Sequence, residues 1–168
     1  ATLKHFAAYG VPESGHNGSR ANCGMRQLLS EYLPPFRKAV EEGAGTLMTS
    51  YNAIDGVPCT ANKELLTDVL RNQWGFKGFV YSDLISIEGI VGMRAAKDNK
   101  EAAVKALKAG LDMDLGGNAF GKNLKKAYEE GLITMADLDR AVGNVLRLKF
   151  QMGLFEHPSA SPELAKKL

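Results

Sequence analysis

The chain has 168 residues, of which 45% are hydrophobic and 24% charged, the balance of a single globular domain. Its formal net charge of +2 comes without clustered basic residues, which excludes nucleic acid and membrane surfaces as expected partners. No apolar run approaches the roughly 20 residues of a membrane helix, and Cys23 and Cys59 form neither a C-x-x-C pair nor zinc-ligand spacing, so two ordinary thiols is a better reading than a disulfide and no metal is expected.

In chain order, Thr2–Phe6 reads as a strand. A long helix follows from about Gly24 to Glu42, interrupted at Pro34-Pro35 because proline removes a backbone donor and clashes with the preceding turn. Three segments then share one plan, each a glycine followed by a short buried-strand run: Gly45–Tyr51, Gly78–Asp83 and Gly110–Leu115. Their starts are 33 and 32 residues apart. Helical patterns fill the gaps, over Asn62–Trp74 and Asn99–Ala109, with Asn62 and Asn99 as candidate N-caps and Gly75 and Gly110 as candidate C-terminal glycines. Thr134 and Asp137 stand at capping-box spacing at the head of a helix running to Met152. His157–Pro162 is rich in turn residues. The expected boundaries are therefore a folded unit over 1–153 and a linker over 154–168.

A strand–helix period of just over 30 residues is the βαβ signature and implies parallel strands with right-handed crossovers. About four such units are present. A closed (β/α)₈ TIM barrel takes about 250 residues, so the α/β chain supplies about half of one. The alternative is a complete open sheet of four strands. In both architectures the working groups lie at the C-terminal ends of the strands. Those ends carry Lys4, His5, Met48, Tyr51, Ser82, Asp83, Asp112 and Asp114. A cation, an imidazole, a phenol and several carboxylates suit the hydroxyls of a sugar. There is no G-x-G-x-x-G after a strand and no Walker lysine loop, and no cofactor is expected.

The motifs narrow this further. Lys4-His5-Phe6-Ala7-Ala8-Tyr9-Gly10, Tyr32-Leu33-Pro34-Pro35-Phe36, Met48–Asn52 with Gly56–Asn62, Leu65–Arg71 with Trp74–Val80, Ser82-Asp83, Ala109–Asp114 and Lys149–Phe155 occur in order along nearly the whole chain. Together they resemble glycoside hydrolase family 3, in the C-terminal half of its N-terminal barrel domain. The resemblance implies that Asp83 is the nucleophile of a retaining exo-β-glycosidase. It places Lys4 and His5 where they hydrogen-bond hydroxyls of the terminal sugar, and Met48 and Tyr51 along the same subsite. The substrate class is a β-linked oligosaccharide or glycoside, a β-glucoside or β-xyloside. The acid/base falls in a later domain and further ligands on earlier strands, so the chain alone is expected to be inactive.

Two features qualify the match. Leu84 stands where the family often has Trp, which puts the sugar preference in doubt. The segment Glu13-Ser14-Gly15-His16-Asn17 lacks the D-S-H of the β-N-acetylglucosaminidase branch.

Read without the family, Asp83 is a helix N-cap after a strand, Lys4 a solvated lysine, His5 a hydrogen-bonded buried histidine and Met48 a core filler. Asp112 and Asp114 share a strand face, and bonding to neighbouring strands is their expected role. A non-catalytic carbohydrate-binding or assembly module remains the rival reading. Leu3–Phe6 and Leu111–Leu115 would be open sheet edges, and pairing of two copies through them would give a homodimer.

Overall fold

The computed structural model describes residues 1–167. Strand β1 (Thr2–Phe6) leads through a loop to the short helix α1 (Gly24–Gln27), a π-helical turn over Leu28–Tyr32 and helix α2 (Pro34–Glu41). The long helix expected over this stretch is thus broken at Leu33. Pro34 opens α2 at its first position, where the missing N–H costs nothing.

Strand β2 (Thr46–Thr49) follows, then a two-stranded antiparallel hairpin of β3 (Ala53–Ile54) and β4 (Val57–Pro58). Its turn is Asp55-Gly56, with both residues at positive φ, the geometry that suits the twist of a hairpin. A 3₁₀ turn over Cys59–Ala61 and a π-helical segment over Glu64–Gln73 come next. Asn62 Oδ1 accepts from the Leu65 amide at 3.0 Å, so Asn62 caps this segment as expected.

Strand β5 (Phe79–Tyr81) precedes α3 (Ser86–Gly92), α4 (Asn99–Ala109), α5 (Ala119–Glu129), α6 (Met135–Gln151) and the short α7 (Pro162–Ala165). The cap of α4 is Asp98 rather than Asn99: its carboxylate accepts from the Glu101 amide at 2.8 Å. The capping box of α6 forms between Thr134 and Asp137. Helix α7 lies within the stretch read as linker, whose last residue, Leu168, falls outside the described residues.

The sheet is parallel in the order β1-β2-β5, with Leu3 opposite Leu47 and Leu47 opposite Val80. Side chains alternate across a strand, so Leu47 and Val80 face one way and Thr46, Met48, Phe79 and Tyr81 the other. Leu47 and Val80 are fully buried against helix side chains that include Leu66, Leu70, Ile87, Ile90 and Ala106. The core is therefore the layer between one sheet face and the helices. Gly78 enters β5 at a point where the Gly45 carbonyl oxygen lies 1.9 Å from where a Cβ would be, so only glycine fits this close approach.

The fourth strand, expected over Gly110–Leu115, forms only in part. Tyr81 and Met113 make an isolated parallel bridge, supported by Asp112 N to Val80 O at 2.8 Å and Ser82 N to Met113 O at 3.0 Å. The reason is Asp112. Its carboxylate takes the Val80 amide at 2.8 Å, a donor that a regular ladder would give to a backbone carbonyl.

The same carboxylate is fully buried and pairs with Arg71 at 2.5 Å and Arg140 at 2.7 Å. Asn144 of α6 donates to it at 3.0 Å. Burial pushes the Asp112 carboxyl up, while Arg71 and the Val80 amide oppose the shift. Asp112→Ala removes the shared partner of two guanidiniums and should destabilise the chain by about 3–5 kcal/mol in urea unfolding. A loss below about 1 kcal/mol would show that the network carries little.

Candidate functional site

The C-terminal rim of the sheet gathers side chains from three segments. The first is the end of β1. Leu3 and Phe6 both pair with β2, but the register shifts between them. With strict alternation Phe6 would share the face of Thr2. It is instead fully buried in the helix-side core. The irregularity between them re-aims the intervening residues, as bulges do. It turns His5 toward the rim, where Nε2 lies 3.5 Å from Asp83 Oδ2. Lys4 is exposed beside it. Burial and the Lys4 charge push the His5 imidazole below its ordinary value, and the Asp83 charge opposes them. At neutral pH the ring is neutral.

The second segment is the turn after β5. Asp83 has a side chain only 12% exposed, yet it does not cap the following helix. Its Oδ1 accepts from the amide of Leu84 at 2.7 Å. The residue before α3 is Ile85, which has φ of 59° and no side-chain cap. The other carboxylate oxygen of Asp83, Oδ2, faces His5, and the 3.5 Å between them is too long for a strong hydrogen bond. Below the turn, the hydroxyls of Thr49, Thr60 and Ser86 form a buried chain with steps of 2.9 Å. It ties β2 and the 3₁₀ turn to the start of α3.

The third segment follows β2. The Tyr51 hydroxyl donates to the Leu84 carbonyl at 2.9 Å. Burial first, then the Asp83 charge, push its phenol above the ordinary value, so it stays protonated. Tyr9 bridges the cluster, its ring centroid 4.8 Å from His5 and 6.1 Å from Tyr51. Leu84 and Ile85 are about half exposed at the edge.

The rim thus brings His5, Tyr51 and Asp83 together, with Lys4 beside them. Met48 is buried on β2 opposite Tyr81. Asp112 belongs to the ion-pair network at the base of the strand, as its expected structural role implies. Asp114 turns to the start of α5. Tyr9 was missed as a site residue although it lies within the Lys4–Gly10 motif. Helix α3, and with it Glu88, was also missed; Ile87, Ile90 and Val91 at helical spacing were the available signal. No group of three or more His, Cys, Asp or Glu among the described residues suits a metal ion. Both cysteines are free, and burial pushes the Cys59 thiol up to about 12.

Three kinds of likeness to known proteins bear on the fold and the family. The family described as "Glycosyl hydrolase family 3 N terminal domain" matches residues 1–148. A periplasmic beta-glucosidase of Salmonella typhimurium is 39% identical over 94% of this chain and 20% of its own length. A putative beta-xylosidase of Formosa agariphila is 42% identical over 99% of the chain and 22% of its own length. The solved beta-glucosidase of Listeria innocua superposes with a TM-score of 0.92 at 39% identity, covering 94% of this chain and 22% of that one. The chain therefore spans about a fifth of the length of these relatives. Its parallel sheet and helices are part of a (β/α)₈ barrel rather than a complete open sheet, and the chain belongs to glycoside hydrolase family 3.

Proposed function

We propose that this chain carries the nucleophile side of the active site of a retaining exo-β-glycosidase, with Asp83 as the attacking carboxylate. The observation that carries the reading is the uncapped Asp83 carboxylate, flanked by a neutral His5 at 3.5 Å and by Tyr51. Retention needs two carboxyl groups about 5–5.5 Å apart, one attacking the anomeric carbon and one protonating the leaving oxygen. Asp83 does the first job and forms the glycosyl ester. Tyr51, held through its hydroxyl on the Leu84 carbonyl, fixes the turn that aims it. His5 and Lys4 donate to sugar hydroxyls, and Met48 packs behind the subsite. The proton donor comes from polypeptide beyond this chain.

Relatives named as β-glucosidases and β-xylosidases make terminal β-glucosyl and β-xylosyl residues the substrate class. Leu84, about half exposed beside Asp83, puts an apolar side chain at the edge of the site. The rival reading, a carbohydrate-binding or assembly module without catalysis, keeps the same contacts and forms no ester.

In the full-length enzyme, Asp83→Ala should lower kcat by roughly a thousandfold or more. Azide should partly rescue it and yield the glycosyl azide of inverted configuration, because the small anion replaces the lost nucleophile. Unchanged kcat would remove Asp83 from the chemistry. The isolated chain should not hydrolyse aryl β-glucosides or β-xylosides; robust turnover would show that the missing parts are dispensable.

A second expectation concerns His5. Its NMR titration should fall below the ordinary histidine value of about 6.5. Asp83→Asn removes the one influence that raises it, so the titration should move lower still. A shift upward would mean that the two groups do not interact as described.

We also infer that two isolated copies pair through the sheet edges. Among the described residues, β1 and the stretch near Met113 flank the sheet without closing it. Such edges recruit strands. Sedimentation at micromolar concentration should show a dimer or larger species, and a cooperative monomer would contradict this.

A further inference from the structure

Behind the Asp83 turn lie two carboxylates that the chemistry above does not use. Glu88 projects from α3 and Asp114 from the stretch after β5's neighbour. Each uses one oxygen at the start of α5. Glu88 Oε1 accepts from the Asn118 amide at 3.0 Å, and Asp114 Oδ2 from the Phe120 amide at 3.2 Å. Asn118 itself provides no side-chain cap, so the pair does its work.

The other two oxygens have no partner. Glu88 Oε2 and Asp114 Oδ1 are fully buried and unsatisfied. Both lie close to Gly117: a Cβ placed there would lie 2.7 Å from Glu88 Oε2, 2.8 Å from Asp114 Oδ1 and 2.8 Å from Glu88 Oε1. Two ionised carboxylates cannot rest this way. Each orphaned oxygen costs its desolvation, and the like charges repel. No cation is among the groups that act most on Asp114. The end of β5 presents the Ser82 hydroxyl, α5 presents the amides of Ala119 and Phe120, and the charge acting on Asp114 is that of Glu88. A proton between the two oxygens satisfies both and removes one charge.

We propose that Glu88 and Asp114 share one proton, and that this hydrogen-bonded pair is a positioning clasp holding the Ser82-Asp83 turn and α3 against the start of α5. Ser82 links the clasp to the site. Its hydroxyl accepts from the Leu115 amide at 2.9 Å and bonds to Asp114, while Asp83 is the next residue. Burial, then the Glu88 charge, push the Asp114 carboxyl above its ordinary value. The folded chain thus retains a proton that the unfolded chain releases. The clasp contributes its full stability below the ordinary carboxylate range and loses it as pH rises through the raised Asp114 value.

Carbon-13 NMR of the carboxyl groups of this chain tests the clasp without reference to catalysis. One carboxyl of the pair should keep its protonated shift above pH about 4, where ordinary aspartates have ionised. Glu88→Gln removes the Glu88 charge and puts an amide donor in its place, so Asp114 should then titrate lower than in the unmodified chain. The thermal midpoint of the unmodified chain should fall by roughly 2–4 °C between mildly acidic and mildly alkaline pH, and that fall should vanish in Glu88→Gln. Gly117 lies outside the left-handed region, so Gly117→Ala is tolerated by the backbone. Its methyl presses on both Glu88 oxygens and on Asp114 Oδ1, so it should displace the pair and abolish the protonated signal. Both carboxyls ionising together in the ordinary range, or both ionised and bridged by added Mg²⁺ or Ca²⁺, would overturn the proposal. The titration of the unmodified chain decides it even where a variant does not fold.

Discussion

The buried carboxylate of Asp112 is the point on which the rest of the architecture hangs. It accepts the Val80 amide from β5, a guanidinium from the π-helical segment through Arg71, and both Arg140 and Asn144 from α6. A buried charge is tolerated only when its partners are complete, so these elements must arrive together. The constraint also explains an irregularity. By claiming the Val80 amide, Asp112 prevents a regular ladder beside β5 and lets the following chain swing toward α5. Past Asp112, Ser82 N to Met113 O and Ile85 N to Leu115 O, at 3.0 Å each, hold the stretch that carries Asp114 and Gly117 to the back of the Asp83 turn.

The rim of the sheet depends on a second departure from regularity. Between Leu3 and Phe6 the register of β1 against β2 slips, and His5 turns toward Asp83 while Phe6 returns to the core. A regular strand would bury one of them at the expense of the other. The Asp83 turn is steadied from the opposite side by Tyr51 on the Leu84 carbonyl and by the Thr49, Thr60 and Ser86 hydroxyls. Positioning is thus shared among elements that are distant in sequence, as the precise placement of reacting groups requires.

Much of this was legible in the residues. The glycine-led strands and their even spacing gave parallel β/α units, and the Thr134–Asp137 box fixed the start of α6. The motif run from Lys4 to Phe155 pointed to the family. Other features were not legible, for identifiable reasons. Helix α3 is short and opens on Ile85 at positive φ, without the polar cap that marks a helix start. The cap of α5 comes from Glu88, far upstream in sequence, and from Asp114, which lies outside the usual N-cap position. Asn99 looked like a cap, but Asp98 is one residue earlier and reaches the Glu101 amide. The strand expected at Gly110–Leu115 is weakened by a side chain whose partners no local pattern reveals.

The account stands on one claim, that Asp83 forms a covalent bond to the sugar. The most direct measurement is mass spectrometry of the full-length enzyme after treatment with a 2-fluoro β-glycoside bearing a good leaving group, which slows breakdown of the glycosyl ester. Proteolysis should place the label on the peptide that contains Asp83. A label on a peptide carrying Asp112 or Asp114, or active enzyme with no label at all, would contradict it.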